Sequence, residues 1–148
     1  MEPNLISEKR FENIKKQISE GKINIFTSDD DELNRKVLEK IEINILLLNL
    51  EKRKDFQKQR NSGFNQVLAK IAKKKNIAIG INLDEIIENK DRQKAEILAR
   101  IRQNIKLCNK NKLRMKFISP SEKHARNKHD LKALGLVLGM STSMTKEL

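Results

Sequence analysis

Two spacings of apolar residues alternate along this chain, and that alternation constrains its fold more than any other feature. Segments with apolar residues every three or four positions give one face of a helix. Between them lie short, nearly unbroken apolar runs of the kind found in strands buried on both faces. A helix is predicted over 7–20, with Ser7 as candidate N-cap, Phe11, Ile14 and Ile18 on one face, and Gly21 as its stop. Ile23–Phe26 is a short strand-prone run. Ser28 and Asp31 form a candidate capping box ahead of a helix marked by Leu33, Val37, Leu38 and Ile41. Ile43–Leu48 reads as the next strand, followed by a charged connector over 49–62 without periodicity. Phe64, Val67, Leu68, Ile71 and Ala72 mark an amphipathic helix, ended by Lys73–Lys75, where cations complement the helix dipole. Ile77–Leu83 is the third strand, with Gly80 inside it. Asp91 is the candidate cap of a long helix with Ala95, Leu98, Ile101, Ile105 and Cys108 inward. Leu113–Ile118 is the fourth strand, stopped by Ser119-Pro120. A last helix covers about 128–139, with Leu131, Leu134, Gly135 and Leu138 inward.

Strands separated by helices imply right-handed crossovers and a parallel sheet, so the expected class is α/β with about four strands. The chain reads as one domain, 1–148, with an N-terminal helix in 1–22 and a tail in 141–148. The polar connector is too short to divide it.

Charge narrows the partners. Lys and Arg number 32 against 20 Asp and Glu, a net charge of +12. Such an excess attracts polyanions, and a basic surface is the usual electrostatic footprint of nucleic-acid binding. Cys108 is alone, so no disulfide can form within the chain. Charges interrupt the N-terminus where a signal peptide needs an apolar run, and no stretch has the length of a membrane span, so a cytoplasmic protein without membrane contact is expected. There is no Trp or Tyr, and Phe occurs five times. That scarcity argues against a base-stacking platform, leaving the RNA backbone and shape to be read.

Catalytic patterns are missing. The five glycines are scattered and make neither a phosphate loop nor a dinucleotide fingerprint. His124 and His129 have no obvious carboxylate partner, and a zinc site needs three or four ligands. Asp29-Asp30-Asp31 reads as cap and dipole complement at a helix start, and Cys108 as core. No catalytic residue, metal or cofactor is expected, which disfavours a metal-dependent barrel phosphoesterase. A generic basic interaction protein is the other competing reading.

Three basic stretches remain: Lys52, Arg53, Lys54, Lys58 and Arg60; Lys106, Lys110, Lys112, Arg114 and Lys116; and Lys123, Arg126 and Lys128. In a parallel βα fold the loops after the strands gather at one end, the usual functional rim. The first and third stretches belong there; Lys73–Lys75 and the segment around Lys110 and Lys112 belong at the opposite end. The candidate RNA contacts are Lys52, Arg53, Lys54, Arg60, Lys94, Lys123, Arg126 and Lys128.

Several pieces resemble one family in order and spacing. They are Val67-Leu68-Ala69-Lys70, Lys74–Gly80, the helix from Arg92, Phe117-Ile118-Ser119, and Asp130-Leu131 with Leu134-Gly135-Leu136-Val137-Leu138-Gly139-Met140. Together, over a region centred on 23–140 and reaching about 145, the chain resembles ribonuclease P protein component 3. That is the archaeal counterpart of the thirty-kilodalton subunit of eukaryotic ribonuclease P. The resemblance implies a TIM-barrel-like subunit of a tRNA-processing ribonucleoprotein endonuclease, in which RNA removes the 5′ leader of precursor tRNA. It also implies pairing with ribonuclease P protein component 2 and no catalysis by the protein alone. A full barrel takes roughly 200–250 residues, so the expectation here is an incomplete, N-terminally shortened barrel. Such a barrel leaves one sheet face and its strand edges for a partner. Asp84 stands where the family usually has a basic residue. The Arg-Pro-x-Asp-Leu start of the family's last helix reads Asn127-Lys128-His129-Asp130-Leu131.

Overall fold

A computed structural model of the chain describes residues 2–148. The elements in order are β1 (Pro3–Ile6), α1 (Phe11–Gln17), β2 (Ile23–Ser28), α2 (Asp31–Lys40), β3 (Ile45–Leu48) and α3 (Gln66–Lys75). They continue with β4 (Ala78–Asn82), α4 (Leu83–Glu88), α5 (Asp91–Asn111), β5 (Met115–Ile118), α6 (Lys128–Leu138) and α7 (Thr142–Lys146). The strands form one sheet whose spatial order is the chain order, and every neighbouring pair is parallel.

A sheet that grows in one direction, with crossovers of one hand, puts every connecting helix on the same face. Burial agrees. Ile6, Phe26, Leu46, Leu48, Ile79, Ile81 and Met115 join Ile14, Val37, Leu38, Leu68, Ile97, Ile101 and Ile105 of the helices in one large core. The alternate strand residues Ile25, Ile45, Leu47 and Ala78 form a second cluster that includes no helix residue. Their register makes layers of the barrel kind. Leu5, Ile25, Ile45 and Ala78 lie across one level, and Thr27, Leu47, Gly80 and Lys116 across the next. Gly80 shapes this concave side: a Cβ there would lie 3.0 Å from Leu47 Cδ1 and 3.1 Å from Ile45 Cγ2. Both side chains lean into the space that glycine leaves. At the open edge Leu5 is 42% exposed.

Several expectations are corrected. The sheet has five strands, because Pro3–Ile6 pairs with Ile23–Phe26. A Pro-led edge strand is short and half-exposed, and gives almost no periodic signal. The N-terminal helix shrinks to Phe11–Gln17, with Arg10 rather than Ser7 at its cap position and no side-chain cap. The cap of α2 is Asp30, which accepts from the backbone N–H of Glu32 and Leu33, while Ser28 Oγ accepts from Asp30 N–H. Asp91 is the first residue of α5 and not its cap. Residues 83–88 form α4, capped by Asn82, and 141–148 contain α7, which buries Met144 and Thr145. The connector 49–62 holds no helix or strand. Among the described residues, no helix is long and apolar enough to cross a membrane.

Candidate nucleic-acid interface

The carboxyl ends of the strands open onto a cleft of about 670 Å³. Its floor is a ladder of polar side chains. Asn82 Nδ2 donates to Asn49 Oδ1 (3.1 Å), and Asn49 Nδ2 donates to Thr27 Oγ1 (2.9 Å) and Asp29 Oδ1 (3.3 Å). Two carboxylates of α4 close one side. Glu85, 7% exposed, accepts from the backbone N–H of Leu50 (2.8 Å) and Glu51 (3.0 Å). Burial raises its pKa above the ordinary glutamate value despite those two bonds. Asp84, 8% exposed, accepts from the Ser119 hydroxyl and from Ser121 N–H (2.9 Å). Burial works to raise its pKa, but the Ser119 and Ser121 bonds override it and hold the carboxyl below its ordinary value. His124, unpartnered on the sequence reading, has Nε2 3.1 Å from Glu88 Oε1. The centre of the cleft is therefore carboxylate-rich and unsuited to phosphate.

Of the candidate cations, Lys52, Arg53 and Lys54 line the cleft and Arg60, Lys94, Lys123, Arg126 and Lys128 do not, and the fold treats them differently. Arg53 is tied down: its guanidinium donates twice to Asp31 (both 2.9 Å) and to Asn61 Oδ1 (3.1 Å), and its Nε donates to Asn49 O (2.7 Å). Its side chain is only 8% exposed, and it lies against Gly63, where a Cβ would fall 2.6 Å from its NH2. Lys52, Lys54 and Arg60 are exposed, and so are Lys123, Arg126 and Lys128. Among the described residues, none of these six has an ion-pair partner. Lys128 opens α6, whose cap Asn127 accepts from Asp130 N–H. Lys94 is half-buried near the start of α5.

One residue outside the candidate set organises the first basic stretch. Arg100 of α5, 3% exposed, donates to Leu50 O (3.1 Å), Arg53 O (2.8 Å) and Asp55 Oδ1 (3.2 Å). An arginine on a helix face reads as one more surface charge, and only the tertiary fold reveals its work.

At the opposite end three cations serve the fold. Lys75 Nζ donates to Glu39 O and Ile41 O, Lys73 Nζ to Lys112 O, and Arg114 to Asn76 O. These are the free carbonyls of helix ends. Lys116, level with Gly80 in the sheet, donates from Nζ to Glu147 O; burial and then the nearby Arg114 lower its pKa. Among the described residues, no three His, Cys, Asp or Glu side chains are grouped so as to hold a metal.

The sequence model of the family described as RNase P subunit p30 matches residues 6–148. This chain belongs to the RNase P subunit p30 family. Among solved structures it matches a chain of the cryo-EM structure of archaeal ribonuclease P with mature tRNA, with a TM-score of 0.76 and 19% identity. The match covers 98% of this chain and 62% of that one, so the p30-family chain described here spans less than two thirds of its length. The similarity read from residues 67–140 thus led to the right family, and the parallel α/β sheet is consistent with part of a TIM-like barrel.

Proposed function

We propose that this p30-family chain is an RNA-binding protein subunit of ribonuclease P, acting in the cytoplasm. On this reading it supports the catalytic RNA in removing the 5′ leader of precursor tRNA and carries no chemistry itself. Its partners are the ribonuclease P RNA, precursor tRNA, protein component 2 and other subunits. Family membership supports the particle. The observation that carries the RNA contact is the set of exposed, unpaired cations in the loops after the strands. At the amino-terminal end of the sheet Lys73, Lys75 and Arg114 bond to helix carbonyls, while Lys74, Lys110 and Lys112 are exposed. Lys52, Lys54, Arg60, Lys123, Arg126 and Lys128, after the strands, are exposed and, among the described residues, outside ion pairs. Free cations on one rim suit a phosphate backbone. Lys94 and Arg53 complete the proposed contacts, Arg53 through its hold on the loop.

The test is the salt dependence of binding to a ribonuclease P RNA transcript. Log K should fall linearly with log salt. Replacing Lys52, Lys54 and Arg60 by Ala should flatten the slope by about 0.7 to 0.9 for each phosphate no longer neutralised. An unchanged slope would refute contact through this loop. Cleavage of precursor tRNA at its 5′ end by the pure protein with magnesium, and no RNA present, would refute the non-catalytic role.

A further inference from the structure

The loop 53–60 carries an aromatic ring that the charge count leaves unexplained. Phe56 is 64% exposed. The other four phenylalanines are buried or half-buried: Phe26 and Phe64 lie in the core, and Phe11 and Phe117 pack against it. A ring in water forfeits the gain of burial, and a slack loop would fold it away. This loop is not slack. The Asp55 carboxylate accepts from Asn61 N–H (2.9 Å) and from Arg100 Nε (3.2 Å). Phe56 N–H donates to Gln59 O (2.8 Å), closing the turn. Gln103 Nε2 donates to Arg60 O (3.2 Å), and Arg100 holds Arg53 O. Hydrogen bonds at both ends of the loop impose the exposure of Phe56. The ring contributes to two open concavities, of about 320 and 530 Å³, and Gln59 and Arg60 line both.

We propose that Phe56 is a stacking platform for an unpaired RNA base, with exposed Lys54, Lys58 and Arg60 engaging the flanking phosphates. The proposal rests on the RNA-binding reading above and adds a contact of a different kind. An aromatic ring between cations is how sequence-tolerant single-strand sites combine stacking with charge. Base-paired RNA keeps its bases stacked inside the helix and offers no free face to the ring. Few aromatics in the chain argued against stacking, but one rigidly presented ring is sufficient for one base.

The experiment compares Phe56→Ala, Phe56→Leu and Phe56→Trp with the wild type. The probes are a labelled single-stranded oligouridylate of about ten nucleotides and an RNA duplex of the same length, at low salt. Ala and Leu should weaken single-strand binding about five- to a hundredfold and leave duplex binding within about twofold. Trp should restore single-strand binding, and its emission, unique in a chain without tryptophan, should be quenched by the oligouridylate and not by the duplex. If Leu binds as well as Phe, or Ala has no effect, while both RNAs still bind with a salt-dependent affinity, the stacking role is overturned. Phe56 is then an apolar contact for protein or none, and the RNA-binding reading survives. A wild-type protein that binds neither RNA would overturn both.

Discussion

Arg100 is the most deeply buried charged residue among the described residues. It reaches from α5 to two backbone carbonyls and one carboxylate of a loop with no helix or strand of its own. Removing it strands Leu50 O in a buried setting and Arg53 O in a part-buried one. Arg100→Met should therefore cost about 2–3 kcal/mol in denaturant unfolding and should raise amide exchange across 50–60. Asp84 tests the other side of the cleft. Its pKa is depressed below the ordinary aspartate value, so the folded state prefers the carboxylate. That stability is present in full above the unfolded pKa and is lost as pH falls through the lower folded value. Asp84→Asn should be about 1 kcal/mol less stable than the wild type at pH 7, and the gap should close as unfolding is measured below about pH 4. A constant gap would mean that Asp84 acts by shape alone. Neither role was legible in the sequence. Arg53 and Lys52 look alike in a row of cations, yet Asp31, which immobilises Arg53, meets it only because the loop folds back onto α2. The charges could be counted from the sequence, but their partners depend on the tertiary fold.

At the scale of elements, the central strands and long helices were legible because each buries a continuous stripe. The boundaries were less so, for a specific reason. Ile77 and Leu113 look like the first residues of strands, but they finish helices. Ile77 N–H donates to Ala72 O and Leu113 N–H to Cys108 O, each just after a left-handed residue, Asn76 or Lys112. An apolar residue following a left-handed turn belongs to the helix-ending motif. Lys112, at φ 55°, holds a conformation that suits glycine better. Lys112→Gly should raise stability by about 1 kcal/mol, measured by urea unfolding, and should leave RNA affinity unaltered because that end of the sheet is not the proposed interface. Gly80 carries the opposite expectation. Gly80→Val would drive a side chain into Leu47 and Ile45 and should cost about 1–3 kcal/mol. β1 and α4 escaped the sequence reading because each is short: β1 gives the core only Ile6, and α4 follows β4 directly, so that Leu83 reads as the end of a strand.

Across the whole molecule, part of the charge is used internally. One end commits Lys73, Lys75 and Arg114 to its own helix carbonyls, and the other holds exposed cations beside a carboxylate-rich cleft. A net charge of +12 therefore overstates the charge free to meet a polyanion, and the salt slope should count the rim cations and not the total. The sheet has a consequence of its own. Each strand pairs only with the strand before it and the strand after it, and the longest reach in any pairing is the one joining β4 to β5, as between Ile79 and Met115. Pairings so close in sequence cost little loop-closure entropy. During synthesis, each strand that leaves the ribosome meets a partner already made, so the sheet can grow in the order of translation, one βα unit at a time.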